Sequence, residues 1–335
     1  MQRKQIKMRA FRLLDAGLTL AHEAVPTPAP GEVLVRVRAT SLNHRDHLLA
    51  THRPSSLNPG VIPLSDGAGD VVAVGDAVTR FRPGDRVCAI FDQNWLYGGR
   101  RHALPKGALG GDLDGMLAEY RVIPQDGLVA IPDHLTYSEA ACLPCAGVTA
   151  WHALRTVRAD ETVLLLGTGG VSIMALQIAR AAGARIIVTS SSDEKLARAR
   201  SLGADEAINY LHSPDWEQDV LRLTDGKGVD HVVEVGGAGT LPRSIEATAA
   251  GGTIHLIGIL TTGTIQPARI FLRSVNVRGI YVGSRAMFED YARFLSQHRI
   301  APVVDRKFAF EDAPAAYAAL KAGQHFGKLV IDVTD

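Results

Sequence analysis

The chain is poor in the features that mark secreted, membrane-spanning or polyanion-binding proteins. Three cysteines among 335 residues exclude a disulfide framework and fit a reducing, cytoplasmic compartment. No run reaches about 18 apolar residues, so we expect no membrane span. The formal charge is +1, from 36 basic and 35 acidic residues, which argues against a nucleic-acid partner.

Hydrophobic periodicity divides the chain into two regions, and its length also favours about two domains. Residues 1–130 contain short alternating strands and turns, as at 32–39, which is typical of a β-rich fold. Within residues 131–284, apolar strands alternate with helices, which predicts a doubly wound parallel sheet. We expect residues 285–335 to return to the first domain. The fold class is therefore predicted to be α/β.

A glycine-rich turn follows the first apolar strand of the second region. Residues 162–166 (TVLLL) precede Gly167-Thr168-Gly169-Gly170-Val171-Ser172, and an amphipathic helical pattern follows. Residues without a Cβ let the backbone approach a phosphate, and the helix N-terminus offers free N–H groups. Ser172 replaces the third glycine of the strict G-x-G-x-x-G fingerprint. The order of elements still predicts a dinucleotide site at Gly167, Thr168, Gly169, Gly170 and Val171.

The end of the next strand suggests which dinucleotide is bound. NAD enzymes place an acidic residue there for the ribose 2′-hydroxyl, whereas this strand ends in Ser190 and Ser191, with Lys195 close behind. Hydroxyls and a cation suit a 2′-phosphate, so we predict a preference for NADP, with NAD as the alternative. Ser192 or Asp193 is equally suited to capping the next helix.

Seven stretches together resemble the medium-chain dehydrogenase/reductase superfamily over nearly the whole chain. The resemblance implies a GroES-like catalytic domain at 1–130 and 285–335, and a Rossmann domain at 131–284. It also implies hydride transfer and assembly into dimers or tetramers. The stretches are Ser41–Asp46, Pro63–Gly75, Pro83–Val87, Gly115–Tyr120, Ala146–Trp151, Gly167–Val171 and Gly327–Ile331.

Departures from the zinc-dependent members of this family concern the metal ligands. Those enzymes carry a cysteine where this chain has Asn43, and His-Glu where it has Ser65-Asp66; their third ligand matches Cys145. Neutral Asn and Ser do not replace thiolate and imidazole as zinc ligands. The four cysteines of the structural zinc lobe are absent as well. We therefore expect no zinc, and a closer similarity to the zinc-free quinone and enone reductases.

The resemblance and the strand ends extend the set of candidate cofactor residues. In NADP-using zinc-free relatives, a Lys and a Tyr fifteen residues later approach the 2′-phosphate, and Lys195 and Tyr210 keep that spacing. Thr149 matches a position near the nicotinamide. Later strand ends, where open parallel sheets bind ligands, supply Val235, Gly236, Gly258, Ile259 and Val282.

Without a metal, hydrogen-bond donors must stabilise the charge that develops on a substrate oxygen. Asn43 is the candidate donor and Asp46 the candidate residue that orients its neighbours, although both residue types also cap short helices. Trp95 and Tyr97, in the long loop 91–116, are candidates to line a substrate pocket. These residues predict an NAD(P)H-dependent oxidoreductase acting on a small carbonyl, quinone or enone.

Three alternatives remain at this point. The first is a zinc-type alcohol dehydrogenase with a degenerate metal site, and the second is a non-catalytic NADPH-binding protein. The third is a dithiol oxidoreductase, because Cys142 and Cys145 have C-x-x-C spacing. That motif normally follows the first strand of a small domain, whereas here it precedes a long nucleotide-binding segment.

Overall fold

A computed structural model describes residues 6–52, 58–100 and 106–334. The chain divides into two compact units, one formed by Met1–Val148 with Val282–Asp335 and the other by Thr149–Tyr281. The second unit begins later in the chain than the sequence boundary at 131 and ends slightly before 284. Residues 131–148 belong to the first unit because the helix they contain packs against strands of that unit.

Fifteen strands and ten α-helices form the described parts of the two units. The strands are β1 (Lys7–Leu14), β2 (Gly17–Ala24), β3 (Glu32–Ser41), β4 (Asp66–Val74), β5 (Arg86–Ala89), β6 (Tyr120–Pro124), β7 (Leu128–Ala130), β8 (Thr162–Leu166), β9 (Arg185–Ser190), β10 (Glu206–Asn209), β11 (Val229–Glu234), β12 (Thr248–Leu256), β13 (Asn276–Gly279), β14 (Val304–Ala309) and β15 (Lys328–Asp332). The helices are α1 (His44–Thr51), α2 (Tyr137–Ala140), α3 (Val148–Leu154), α4 (Gly170–Ala181), α5 (Asp193–Ser201), α6 (Trp216–Leu223), α7 (Leu241–Ala247), α8 (Pro267–Arg273), α9 (Arg285–His298) and α10 (Ala313–Ala322).

The first unit is built on a seven-stranded sheet. Its strand order is β14-β15-β3-β4-β5-β7, with β6 paired to β3. The alternation in β3 has the predicted effect, because Val33, Val35 and Val37 are all buried in the core. The C-terminal strand β15 lies directly beside β3, and residues 282–335 belong to this unit.

The second unit is a parallel sheet with the strand order β10-β9-β8-β11-β12-β13. Numbered from β8 along the chain, this order is 3-2-1-4-5-6, the doubly wound arrangement of dinucleotide-binding domains. Its central strand is apolar without alternation, with Val163, Leu164 and Leu165 fully buried. Such runs form where helices cover both faces of a parallel sheet. The predicted fold class is confirmed.

No helix in the described ranges combines the length and apolar character needed to cross a membrane. The helices of the second unit are short crossover connections between strands, with seven to twelve residues each.

A hydrogen-bonded chain of titratable side chains is buried in the second unit. The Nε2 atom of His231 lies 3.1 Å from Glu161 Oε2, and its Nδ1 atom lies 3.1 Å from Nε2 of His255. The His231 ring therefore bridges the carboxylate of Glu161 and the ring of His255. Burial, with the charges of His231, Arg278 and His152, lowers the pKa of His255 to about 3.

This low pKa makes the second unit sensitive to acid. The unfolded chain binds a proton at His255 near its ordinary pKa of 6.5, whereas the folded chain resists protonation down to about 3. The contribution of His255 to the free energy of unfolding is therefore fully present above pH 6.5. It falls by about 1.4 kcal/mol per pH unit as the pH drops below that value. We expect His255→Gln to flatten this decline in urea unfolding between pH 7 and pH 5.

The control is His22→Gln on exposed β2, which should leave the slope unchanged. Parallel pH dependences of the wild type and His255→Gln would show that His255 is not the acid-sensitive group.

Candidate functional site

The glycine turn of the second unit leads from β8 into α4. Gly167 has φ +71°, a conformation that favours glycine. Gly169 is the N-cap of α4 in an extended conformation and without a side-chain cap. A Cβ added to Gly167 or Gly169 would meet no atom within 4 Å, so packing does not fill the space beside the turn. Ser172, in the third fingerprint position, is buried and donates to Leu166 O at 2.7 Å.

This geometry fits the diphosphate of a nicotinamide dinucleotide. The N-terminus of the twelve-residue helix α4 carries unsatisfied N–H groups and a positive dipole end. The turn lies at the carboxyl end of β8, next to β11, where the strand order reverses. Open doubly wound sheets bind ligands at this switch point. Gly167, Thr168, Gly169, Gly170 and Val171 would hold the diphosphate.

The end of β9 supplies the candidate residues for the 2′-position. Ser190 is buried and Ser191 is exposed. Ser192 caps α5 by accepting the Lys195 backbone N–H at 3.3 Å, so the capping alternative holds as well. Asp193 accepts a hydrogen bond from Asn209 Nδ2 at 2.8 Å, which engages the nearest carboxylate with a neighbouring strand.

Tyr210 follows β10 and lies next to the end of β9. Its backbone N–H donates to Ser190 O at 3.1 Å, and its side chain is 39% exposed. The structure thus brings Ser190, Ser191, Lys195 and Tyr210 to one edge of the sheet.

At Gly236 and Gly258, after later strands, any side chain would clash with neighbouring atoms. A Cβ on Gly258 would lie 1.7 Å from Val235 O, and one on Gly236 would lie 2.4 Å from Thr240 Oγ1. Glu234, fully buried, accepts the Gly236 and Gly237 N–H groups at 2.7 and 3.0 Å. It therefore shapes this loop, a role that sequence reasoning missed.

The remaining candidates lie in different surroundings. Thr149 is buried, whereas Ile259 is 74% exposed. Val282 has φ +36° and belongs to the first unit, not to the unit that holds the other candidate cofactor residues.

A polar cluster forms in the first unit where three neighbouring strands meet α1. Asp66, at the start of β4, is fully buried. Its Oδ2 accepts from Ser41 Oγ at 3.0 Å and from Asn43 Nδ2 at 2.9 Å, and its Oδ1 accepts from Ser65 Oγ at 2.9 Å. The register that places Ser41 opposite Asp66 creates this contact.

Lys328, at the start of β15, is the buried cation of this cluster. Its Nζ donates to Leu42 O and to Asn43 Oδ1, both at 2.6 Å, and lies 3.5 Å from Asp66 Oδ2. Lys328 lies within the motif Gly327–Ile331, and the sequence alone predicts no role for it. β15 lies beside β3, so a residue at the start of β15 comes close to Asn43. The position of Lys328 at the start of the last strand is the feature of the sequence from which this role could have been predicted.

Asp46 lies in the first turn of α1 and holds that turn in place. Its Oδ2 accepts the Asn43 backbone N–H at 2.8 Å. Burial, opposed by Arg45 and reinforced by Asp66, raises the pKa of Asp46 to about 6. With 1% of its surface exposed, Asp46 orients α1 and Asn43.

The cluster does not fit a zinc ion. The Asp66 oxygens already accept hydrogen bonds, and the Lys328 ammonium contacts both Asn43 and Asp66. A divalent cation here would meet that positive charge and lack the thiolate or imidazole ligands that zinc needs. Within residues 6–52, 58–100 and 106–334, no three His, Cys, Asp or Glu side chains are arranged to hold a metal.

The C-x-x-C pair lies largely inside the first unit. Cys142 is buried and Cys145 is partly buried. Burial raises the pKa of Cys142 to about 12 and also raises that of Cys145. A redox dithiol needs an accessible thiolate, so this geometry opposes the dithiol alternative.

In the loop 91–116, the expectation that Trp95 lines a substrate pocket is wrong. Residues 101–105 of this loop lie outside the described residues. Trp95 is 2% exposed, packs in the core and donates from Nε1 to Gly98 O at 3.0 Å. Its burial makes it a structural residue, not a pocket wall. Tyr97 is 76% exposed.

Comparisons with known protein families match most of the chain. Residues 29–133 match the model of the alcohol dehydrogenase GroES-like domain. Residues 170–297 match the model of the zinc-binding dehydrogenase family.

Individual relatives extend over nearly the whole length. A zinc-type alcohol dehydrogenase-like protein of Schizosaccharomyces pombe is 44% identical over 316 residues, 91% of each chain. The crystal structure of a NAD-dependent alcohol dehydrogenase is 36% identical, with a TM-score of 0.88, over 98% of this chain and 100% of that chain. An alcohol dehydrogenase superfamily protein from Novosphingobium aromaticivorans is 29% identical, with a TM-score of 0.82, over the same shares.

Proposed function

The chain belongs to the medium-chain dehydrogenase/reductase superfamily, and on that premise we propose that it transfers hydride between NADP(H) and a small carbonyl, quinone or enone without zinc. The observation that carries the proposal is the glycine turn of the second unit. It combines a left-handed Gly167, open space beside Gly169 and the uncapped N-terminus of α4.

The preference for NADP rests on the end of β9. The carboxylate nearest to this strand end, Asp193, is hydrogen-bonded to Asn209. Ser191 is exposed, and Lys195 is the nearby cation. A 2′-phosphate gains from a cation, and the hydrogen bond to Asn209 holds the Asp193 carboxylate against the end of β10. One structural relative is described as NAD-dependent, so the selectivity needs a direct measurement.

The substrate oxygen is bound by the polar cluster of the first unit. The nicotinamide supplies the hydride when it is bound. As the carbonyl carbon accepts hydride, the C–O π pair moves to oxygen, and solvent water then protonates that oxygen. Asn43 has two amide hydrogens, and one of them donates to Asp66. We assign the other to the substrate oxygen, where a fixed donor stabilises the developing charge.

The second unit also carries large exposed apolar side chains, and β13 is the edge strand of its sheet. Phe271, Leu272 and Ile259 are 80%, 76% and 74% exposed, and β13 pairs with β12 on one side of the sheet. Unpaired strand edges and large exposed apolar side chains favour association. A second copy of the chain is the proposed occupant, which gives a homodimer with a two-fold axis beside β13.

Replacing Gly169 with alanine tests the diphosphate site. The backbone of Gly169 accommodates alanine, and the added Cβ meets no atom, so stability should not change. The methyl group would enter the space proposed for the diphosphate. We expect NADPH affinity, measured by quenching of tryptophan fluorescence, to fall at least about tenfold.

Gly99→Ala, whose Cβ also meets nothing, should bind NADPH normally. An unchanged NADPH affinity in Gly169→Ala would show that the diphosphate does not bind at this turn. If neither NADPH nor NADH quenched the wild-type protein or raised its melting temperature, the proposed activity would be wrong.

Replacing Lys195 with alanine tests cofactor selectivity. Loss of its charge should weaken NADPH binding by about tenfold, or about 1.4 kcal/mol, and change NADH binding less than twofold. Lys227→Ala, at an exposed loop position of the same unit, is the control. Equal losses for both cofactors would assign Lys195 a structural role, and a wild-type preference for NADH would contradict NADP selectivity.

The dimer is tested by replacing one of the exposed apolar side chains with a charged one. We expect Phe271→Glu to convert a dimer to a monomer in light scattering after size exclusion, because an unpaired charge would be buried at the interface. Tyr97→Glu changes an equally exposed aromatic residue of the first unit and should remain dimeric. A wild-type monomer at micromolar concentration would contradict the assembly.

A further inference from the structure

A buried ammonium group is surrounded by acceptors in the first unit. Lys328 is 3% exposed. Its Nζ has three hydrogens and three neighbouring acceptors, namely Leu42 O and Asn43 Oδ1 at 2.6 Å and Asp66 Oδ2 at 3.5 Å. Burying a charge is costly unless it is paired and hydrogen-bonded. The cluster meets both conditions, so the ammonium is held as a fixed positive charge.

This ammonium fixes the orientation of the Asn43 amide. Because Nζ only donates, the Asn43 atom that faces it must be the carbonyl oxygen. The amide nitrogen then faces Asp66, at 2.9 Å from Oδ2. The side chain is therefore held at both ends, and its second N–H takes a defined direction.

The same contact changes the chemistry of the amide. A cation on the carbonyl oxygen draws electron density from the nitrogen, which makes each N–H a stronger donor. In a buried site such polarisation along a hydrogen-bond chain is larger than in water. Only the Asn43 side chain lies between Lys328 Nζ and the second N–H of the amide, so the polarisation passes through one group.

We infer that Lys328 is a positioning residue that supplies, through the Asn43 amide, the positive charge that a zinc ion supplies as a Lewis acid in metal-dependent carbonyl reduction. The inference rests on the proposed function and specifies its electrophile. Asn43 contacts the substrate oxygen, and Lys328 acts on that oxygen only through Asn43. Asp66 balances the charge of Lys328, which keeps the pair stable without a substrate.

The main difficulty in testing Lys328 is stability. Lys328→Met alone leaves Asp66 buried without its cation, and a broken buried pair is strongly destabilising. The double variant Lys328→Met/Asp66→Asn removes both charges together. Its asparagine can accept from Ser41 and Asn43 through the side-chain oxygen and donate to the Ser65 hydroxyl through the amide nitrogen, so this variant should fold.

The double variant separates the two roles of Lys328. If the lysine only neutralises Asp66, the double variant should recover both melting temperature and kcat. If the lysine polarises Asn43, the melting temperature should recover while kcat for reduction of a para-substituted benzaldehyde stays at least tenfold low. NADPH affinity should stay within twofold of wild type. Lys328→Arg keeps the charge and should retain more kcat than the double variant.

A readout without catalysis uses the side-chain amide of Asn43. Its proton resonances, assigned by their loss in Asn43→Ala, should lie downfield in the wild type and move upfield in the double variant. Unchanged resonances would overturn the inference, because polarisation by Lys328 would then be absent.

Zinc provides the decisive comparison. After dialysis against a chelator and addition of zinc alone, we expect less than 0.1 zinc per chain and unchanged kcat. One zinc per chain that is lost in Asn43→Ala, or an activity that returns only with zinc, would overturn the inference while NADPH binding still supported the proposed function. Failure to bind NADPH would instead reject the proposed function itself.

Discussion

The buried ion pair between Lys328 and Asp66 is the constraint on which the first unit depends. It joins residues 262 positions apart in sequence and lies where β3, β4 and β15 come together. Both side chains are almost completely buried, so neither charge is tolerated without the other. The pair also fixes Asn43, and through it the first turn of α1. The contacts that join β15 to β3 and β4 therefore also set the geometry of the candidate site.

Much of the fold could be predicted because it depends on local pattern. The alternation in residues 32–39 identified β3, and the apolar run 162–166 identified β8. The glycine turn followed from β8 and the helical pattern after it. Each of these signals lies within about a dozen residues, and parallel crossovers restrict how such elements can be arranged. The helices and strands after residue 285 are local patterns as well, and the family resemblance also implies that this segment returns to the first domain.

What the sequence did not reveal depends on contacts between distant residues. Lys328 acquires its role only when β15 pairs with β3, and a lysine in a strand is ordinarily solvated. Glu234 and the His231–His255 pair are polar residues within strands that gain buried partners from neighbouring elements. Trp95 is the reverse case, because a loop residue that we expected to line a pocket is buried in the core. Register and burial decide all of these cases.

The second unit is a contiguous insertion between the two segments of the first, and this arrangement has a consequence for biosynthesis. Residues 149–281 leave the ribosome as one uninterrupted stretch and can fold while translation continues, since domains generally fold as units during synthesis. The β-rich unit must wait for its last strand. Until then Asp66 has no counter-charge, and the edge of β3 that β15 later covers remains open. A nascent chain thus presents a finished nucleotide-type domain attached to an unfinished partner.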